Sequence, residues 1–216
     1  MIIVIEGIDG SAKSSISKRL AARIGALRIT TPTEDDKTLH ADMLEELSAH
    51  MERTVDRARF YLEMNRSAYV HDKGYVDSCT ASAERHVIFV RSAISTLVTH
   101  LAMDAMLSGG VHADEIKCLV RDKEGLPSPD IVVFLNVDEK ERLKRIGRRH
   151  NNQMDMDTKY IDLTREGFAK EAQRERKLGR GVIEVNTTMM SEREAQEFVD
   201  SRIIDAIRRH RRNVES

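Results

Sequence analysis

Short apolar segments alternate with longer segments of helical period along the chain. Five apolar segments have the length and the β-branched content of strands buried on both faces: residues 2–6, 26–30, 86–90, 131–137 and 181–185. The segments between them repeat apolar residues every three to four positions, which predicts helices over residues 13–24, 38–50, 54–72, 93–108, 138–149, 162–178 and 191–211. This alternation predicts an α/β protein with a five-stranded parallel sheet flanked by helices on both faces.

Two segments depart from the alternation. Residues 109–130 contain the strongest glycine and proline breakers, which predicts a short helix and a loop leading into the fourth strand. Residues 148–162 are polar, show little apolar period and interrupt two helical patterns. We therefore expect a single domain over residues 1–216, with a lid-like segment at about residues 146–162.

Composition and charge narrow the class of protein. The chain has 216 residues, 40% of them hydrophobic, and a formal net charge of −1. These values indicate a globular domain and argue against nucleic acid as a partner, because no excess of positive charge attracts phosphate backbones. Cys79 and Cys118 form no C-x-x-C pair, which is typical of reduced thiols in a cytoplasmic protein. No apolar run approaches the ~20 residues that a membrane span requires, and the amino terminus does not have the pattern of a signal peptide.

The candidate chemistry lies in "GIDGSAKSS", residues 7–15, directly after the first predicted strand. The segment matches the phosphate-binding pattern G-x-x-x-x-G-K-[ST] at all but one position. In such a loop, backbone N–H groups and the next helix bind phosphates, the lysine reaches the β and γ oxygens, and the hydroxyl binds Mg²⁺. The predicted ATP-binding residues are Gly7, Ile8, Asp9, Gly10, Ser11, Ala12, Lys13, Ser14 and Ser15, with Ser14 as the Mg²⁺ ligand.

Ala12 is the departure, since the pattern has glycine at this position. If the backbone there is left-handed, the methyl group costs about 1–2 kcal/mol, and if it is right-handed only crowding remains. Neither cost abolishes binding. We therefore expect the loop to hold a nucleotide, more weakly than a loop with glycine.

Three further segments follow the loop in an order that has a counterpart among known kinases. "FYLEMNRSAYV" (60–70) is similar to the motif F-x-A-N/D-R, and "HVIFVRSAISTLVTH" (86–100) is similar to V-x-D-R-Y…S…A. "GLPSPDIVVFLNVDEKERLKRIGRR" (125–149) is similar to P-D-x-x-x-x-L-x-V…R-x-x-x-R. With the loop, they make nearly the whole chain resemble the thymidylate kinase family of nucleoside monophosphate kinases, which implies a three-layer P-loop kinase fold.

The resemblance also implies roles for individual residues. Lys13 and the loop amides bind the ATP phosphates, Asp9 is the loop carboxylate, and Arg91 clamps the phosphate between donor and acceptor. These three side chains, Lys13, Asp9 and Arg91, are the predicted catalytic set. The predicted lid contributes further phosphate-binding residues, namely Arg145, Arg148 and Arg149, and the predicted acceptor-binding residues are Pro32, Leu62, Arg66 and Arg91.

Four departures from the family pattern concern the loop, the metal and the acceptor. Val90 replaces an acid, Leu62 replaces an aromatic residue that stacks on thymine, Ala12 replaces a glycine, and "TTPTEDD" (30–36) retains only Pro32 of its motif. The pattern indicates a changed acceptor more than a lost fold. Asp9 is the expected substitute for the missing acid, and further candidates follow the second strand: Glu34, Asp35 and Asp36.

The sequence leaves the acceptor and the oligomeric state open. The leading hypothesis is transfer of the ATP γ-phosphoryl group to dTMP or a related nucleotide with Mg²⁺. The alternatives are a modified nucleotide or another small phosphorylated metabolite as acceptor, or a nucleotide-binding homologue with impaired catalysis. We also expect a homodimer built on an apolar stripe after Arg91, unless that stripe faces the chain's own sheet: Ile94, Leu97, Val98, Leu101, Ala105 and Met106.

Overall fold

The computed structural model describes residues 1–30, 50–82, 84–121, 126–147 and 157–215, with residues 80, 81 and 210–215 described by their backbone. The described residues form one five-stranded sheet in the order β2-β3-β1-β4-β5, and every neighbouring pair is parallel. The strands are β1 (Ile2–Gly7), β2 (Leu27–Thr30), β3 (Val87–Val90), β4 (Ile131–Asn136) and β5 (Gly181–Asn186). The five predicted strands are confirmed to within one residue at each end.

Eight helices lie in the described part of the chain. They are α1 (Lys13–Ile24), α2 (Thr54–His71), α3 (Lys73–Ala81), α4 (Ala93–Leu107), α5 (Ala113–Arg121), α6 (Glu139–Ile146), α7 (Thr158–Lys177) and α8 (Glu192–Glu215). The sequence pattern predicted all of these except α3, and it began α7 four residues late. The helix predicted over residues 38–50 lies, apart from its last residue, outside the described residues.

The two faces of the sheet carry separate apolar clusters. Ile2 and Val4 point to the face covered by α2, α3, α4 and α7, whereas Ile3 and Ile5 point to the face covered by α1 and α8. The strands are therefore buried on both faces, as their continuous apolar runs predicted. The result is a three-layer α/β fold in which the carboxyl ends of β1 and β3, together with the loops that follow them, lie next to each other at one edge of the sheet.

The apolar stripe on α4 faces the chain's own core. Ile94 and Val98 belong to the cluster against the sheet, and Leu97 belongs to a third cluster formed with α2 and α5. Leu101 and Met106 pack against the same two clusters, and Ala105 is half-buried. This is the arrangement that the sequence left as the alternative to a dimer interface, and it buries Ile94, Leu97 and Val98 within one chain.

Candidate active site

The loop after β1 is wedged between the end of β4 and helix α6. Gly7 has φ +145°, and a Cβ there would lie 2.1 Å from the carbonyl oxygen of Leu135. Gly10 has φ +82°, and a Cβ there would lie 3.2 Å from the carbonyl oxygen of Arg142. Both positions therefore require glycine, because a side chain would meet backbone as well as adopt a strained φ. These two contacts fix the path of the predicted phosphate-binding loop.

Ala12 occupies the N-cap of α1 in the left-handed region, with φ 73° and ψ 20°. The larger of the two costs expected from the sequence therefore applies, on the order of 1–2 kcal/mol for an L-residue. Ala12 has no side-chain oxygen with which to cap the first turn of α1. The amide groups of this turn point out of the helix end, and the helix dipole favours an anion there.

Lys13 lies almost buried under the loop. Its side chain is 7% exposed, and its Nζ donates to the carbonyl oxygen of Ile8 at 2.8 Å and to Asp9 Oδ1 at 3.3 Å. Burial lowers the pKa of Lys13 to about 8; the Asp9 carboxylate opposes this shift and the Arg91 charge adds to it. An anion bound at the loop would supply the negative charge that this buried ammonium group needs.

Asp9 lies between the two cations of the predicted catalytic set. The Arg91 guanidinium donates from Nη2 to Asp9 Oδ1, the same oxygen that Lys13 contacts. Asp9 and Arg91 are both about one-third exposed, at 37% and 33%. The structure thus brings Lys13, Asp9 and Arg91 together beside the loop, although residue 91 is far away in sequence. We call this partly exposed cluster of three side chains the phosphate-binding mouth.

The donors around this mouth suit a magnesium ion bound together with phosphates. Ser14 follows Lys13 in the first turn of α1, and Asp9 contributes a carboxylate, so both ligands are the hard oxygens that Mg²⁺ prefers. The described residues contain no group of three or more histidine, cysteine or acidic side chains that could hold a metal by itself. Mg²⁺ usually takes one or two protein ligands plus substrate phosphates, so Ser14 and Asp9 fit the group.

A fully buried carboxylate under this mouth was missed by the sequence reasoning. Glu6, at the end of β1, accepts hydrogen bonds from Ser92 Oγ at 2.6 Å and from Ser95 Oγ. Burial raises the pKa of Glu6, and the two hydroxyls and the charges of Arg91 and Lys13 oppose that shift. The available signal was a single acid at the end of an otherwise apolar strand, which marks a buried charge in need of partners.

Two of the predicted acceptor residues, Leu62 and Arg66, lie on α2. Leu62 is fully buried in the cluster between α2, α4 and α5, so it offers no surface on which a base could stack. Arg66 is 30% exposed and pairs with Glu63 at 2.6 Å. A shallow groove with a cavity volume of about 40 Å³ lies nearby, beside the start of α4, lined among others by Asn65, Tyr69, Phe89, Ser92 and Pro127.

The predicted lid arginines are only partly described. Arg145 donates from both terminal nitrogens to Thr187, to its hydroxyl and its carbonyl oxygen, each at 2.8 Å, and from Nε to Glu141 at 3.1 Å. The structure therefore places Arg145 against the turn after β5 and not beside Lys13. The remaining predicted residues lie outside the described residues: Pro32, Glu34, Asp35, Asp36, Arg148 and Arg149.

A glycine-bearing loop between β1 and α1, on a parallel sheet of order 2-3-1-4-5, defines a P-loop kinase fold. The family model described as thymidylate kinase matches residues 5–207. The chain therefore belongs to the thymidylate kinase family, and this membership makes it an ATP-dependent phosphotransferase of the nucleoside monophosphate kinase class. No curated protein sequence matches the chain.

Solved structures share the fold at low sequence identity. A thymidylate kinase from Candida albicans is 16% identical, with a TM-score of 0.74 over 97% of this chain and 92% of that one. A deoxyadenosine kinase from M. mycoides with bound dCTP is 15% identical, with a TM-score of 0.67 over 95% of this chain and 100% of that one. A thymidylate kinase from Ehrlichia chaffeensis is 19% identical, with a TM-score of 0.59 over 96% and 98%. Likeness at these identities supports the fold and leaves the acceptor open.

Proposed function

We propose that the chain transfers the γ-phosphoryl group of ATP to dTMP or a closely related nucleoside monophosphate, with Mg²⁺. The observation that carries the proposal is the cluster of Lys13, Asp9 and Arg91 at the mouth of the loop. Phosphoryl transfer requires positioning and charge neutralisation more than covalent participation of the protein. Two cations and one carboxylate beside the amino-terminal amides of α1 supply both requirements.

Each residue has a distinct task in this proposal. The amides of α1 and the Lys13 ammonium bind the ATP phosphates, and Arg91 lies on the side from which the acceptor phosphate approaches. Asp9 and Ser14 would hold the metal, and Mg²⁺ there would neutralise negative charge on the phosphates. Bound phosphates would compete with Asp9 for Lys13 and Arg91, so the Asp9 carboxylate would then be able to bind the metal.

The identity of the acceptor is the finer part of the proposal. Thymidylate leads because of the family, but the position of the stacking aromatic residue is occupied by Leu62, which is buried. Base recognition must then come from other residues, and the groove beside Asn65 and Ser92 is where we place it. A modified nucleotide or another small phosphorylated metabolite as acceptor is the alternative that this change favours.

A nucleotide-binding homologue with impaired catalysis is the second candidate. Two observations favour it: Ala12 strains the loop, and Val90 is 4% exposed within an apolar cluster, so it supplies no oxygen where the family has an acid. The conjunction of Lys13, Asp9 and Arg91 favours turnover instead. The two candidates differ in whether bound ATP is converted to ADP.

The deciding experiment measures ADP release from Mg·ATP with each deoxynucleoside and ribonucleoside monophosphate, and with the corresponding nucleosides. We expect dTMP or a near relative to give the highest kcat/KM, and Lys13→Ala to abolish release without lowering the melting temperature. ATP binding without ADP release on any acceptor would establish the impaired homologue instead.

Asp9→Asn tests the carboxylate. Because Asp9 is the expected substitute for the missing acid, we expect turnover to fall at least ~10²-fold, which corresponds to ~2.7 kcal/mol of transition-state stabilisation. Asp205→Asn is the matched control, since Asp205 forms an exposed ion pair with Arg208 on α8. Equal turnover in the two variants would exclude Asp9 from the mechanism.

Three predictions from the sequence accompany this function. We propose a single kinase domain over residues 1–216 with a lid-like segment at about 146–162, a cytoplasmic location and a homodimer. The helix α7 begins at Thr158, where Asp157 accepts from the amides of Lys159 and Tyr160, so the last residues of this segment, 158–162, are helical. No helix in the described part of the chain is long and apolar enough to cross a membrane.

A further inference from the structure

We propose that Glu6 is the positioning residue for Arg91, and that its carboxylate holds the turn between β3 and α4 in the conformation that aims Arg91 at the phosphate-binding mouth. The inference rests on the proposed function, in which Arg91 binds the phosphate between donor and acceptor. Glu6 itself is fully buried, so it does not touch a substrate. It acts through the two serines that it binds.

The backbone at Arg91 is strained and must be held. Arg91 has φ 66°, one of two positive values among the described non-glycine residues. A left-handed conformation of this kind is unfavourable for an L-residue and persists only where the surroundings over-determine it. An unrestrained turn would therefore relax toward negative φ and swing the guanidinium away from Asp9.

Two contacts with the end of β1 supply the restraint, one on each side of the Arg91 α-carbon. The Arg91 amide donates to the carbonyl oxygen of Ile5 at 3.1 Å, and Ser92 Oγ donates to the Glu6 carboxylate at 2.6 Å. One turn further along α4, Ser95 Oγ donates to the other carboxylate oxygen of Glu6. Residues 5 and 6 thus hold the residue that carries the guanidinium.

Ser92 connects the restraint to the start of α4. Its Oγ accepts from the Ile94 amide at 3.1 Å while it donates to Glu6, so the N-cap of α4 and the buried carboxylate share one hydroxyl. Because Glu6 is also the residue before Gly7, the same side chain joins the start of the phosphate-binding loop to the Arg91 turn.

Glu6→Gln tests the proposal with little change of shape. One amide NH₂ replaces an acceptor oxygen, so the hydroxyls of Ser92 and Ser95 can no longer both donate to it. We expect kcat to fall at least ~10-fold while KM for ATP stays within twofold, because Lys13 and the α1 amides bind ATP without Arg91. In an Arg91→Lys background the same substitution should have less than a twofold effect.

A matched control separates positioning from stability. Glu175→Gln alters another fully buried carboxylate, which pairs with Arg180 and Arg174 at the far end of α7. It should lower the melting temperature and leave kcat unchanged. The proposal is overturned if Glu6→Gln lowers kcat no more than Glu175→Gln does, or lowers it by the same factor with arginine and with lysine at position 91.

A second variant covers the case in which Glu6→Gln does not fold. Ser95→Ala removes one of the two hydroxyls, and Thr164→Ala is its control, because the Thr164 hydroxyl bonds the Tyr160 carbonyl of its own helix at 2.8 Å. We expect Ser95→Ala to lower kcat at least threefold with KM for ATP unchanged, and Thr164→Ala to leave kcat unchanged. Equal kcat in the two variants would overturn the proposal.

A failure of the proposed function can be distinguished from a failure of the inference about Glu6. If the wild type releases no ADP with any acceptor, the kinase assignment fails. Hydrogen exchange then tests whether Glu6 restrains the Arg91 turn. Glu6→Gln, or Ser95→Ala if the former does not fold, should speed amide exchange at residues 91–94 and leave residues 14–16 unchanged. Unchanged exchange at residues 91–94 would overturn the inference on its own.

Discussion

At the scale of single residues, the loop contains one strained position that substitution can relieve. Ala12 adopts φ 73°, a conformation that glycine reaches without a Cβ clash. We expect Ala12→Gly to raise the free energy of unfolding by about 1 kcal/mol and to tighten ATP binding. Urea denaturation and calorimetric titration with Mg·ATP measure the two effects.

The control for this substitution lies on the same helix. Ala22 is exposed in the interior of α1, so Ala22→Gly should lower the free energy of unfolding by about 1 kcal/mol. The same chemical change should therefore alter the free energy of unfolding in opposite directions at the two positions. A loss of stability at both would mean that residue 12 is not left-handed in the folded protein.

A second residue-scale prediction concerns a buried hydroxyl in the loop. Ser11 is fully buried, and its Oγ has no hydrogen-bond partner among the described residues. Because an unsatisfied buried hydroxyl is destabilising, Ser11→Ala should raise the free energy of unfolding by about 1 kcal/mol. Ser17→Ala should lower it, since Ser17 Oγ donates to the Ser14 carbonyl and accepts from Arg28. Denaturant titration of both variants checks the contrast, and a loss of stability with Ser11→Ala would indicate a partner for that hydroxyl.

At the scale of elements, helix α4 carries a buried histidine that couples folding to pH. His100 is 3% exposed, its Nδ1 lies 2.7 Å from the Thr96 carbonyl oxygen, and its ring packs 5.3 Å from that of Tyr61. Burial lowers the pKa of His100 from 6.5 to about 4. The unfolded chain therefore takes up a proton near pH 6.5, whereas the folded chain does not until about pH 4.

This difference makes stability fall as the pH falls, because the unfolded state binds more protons over that range. The His100 contribution should amount to about 2 kcal/mol of lost stability between pH 7 and pH 5. Between pH 7 and pH 5 we therefore expect His100→Phe to lose about 2 kcal/mol less stability than the wild type does. His100→Gln, which does not titrate either, should show the same reduced pH dependence in urea titrations at both pH values. If both variants lose as much stability as the wild type between pH 7 and pH 5, His100 is not the group responsible.

The elements also show what could be predicted from sequence. Continuous β-branched runs located all five strands, and the loop pattern located Lys13 and Ser14, because both signals are local. Helix α3 was missed since Lys73–Ala81 includes Gly74 and has little apolar period. The clamp of Glu6 on the Arg91 turn and the contact of Arg145 with Thr187 join residues 42 or more positions apart, which a local pattern does not encode.

At the scale of the whole molecule, the same local signal has two readings until the fold is known. The stripe on α4 has the spacing of an interface helix and equally that of a core helix, since both bury one face. The structure resolves this by covering α4 with α2, α5 and α7, which leaves Leu97 3% exposed and Leu107, at the end of the helix, 63% exposed. Ile94, Leu97 and Val98 are therefore buried within one chain.

The stability of Leu97→Ala tests this assignment in solution. Because Leu97 lies in the core of a single chain, we expect the substitution to lower the free energy of unfolding by about 2–5 kcal/mol. Leu107→Ala, an exposed leucine on the same helix, should change it by less than about 0.5 kcal/mol. The loss at Leu97 should be the same at 1 and at 50 times a given protein concentration, because burial within one chain does not depend on association. Two results would contradict the assignment of the stripe to the core of one chain. The stability loss of Leu97→Ala could grow on dilution, or dilution could convert wild-type dimers into monomers that are destabilised as much as Leu97→Ala is. Either result would mean that Leu97 stabilises an interface between copies.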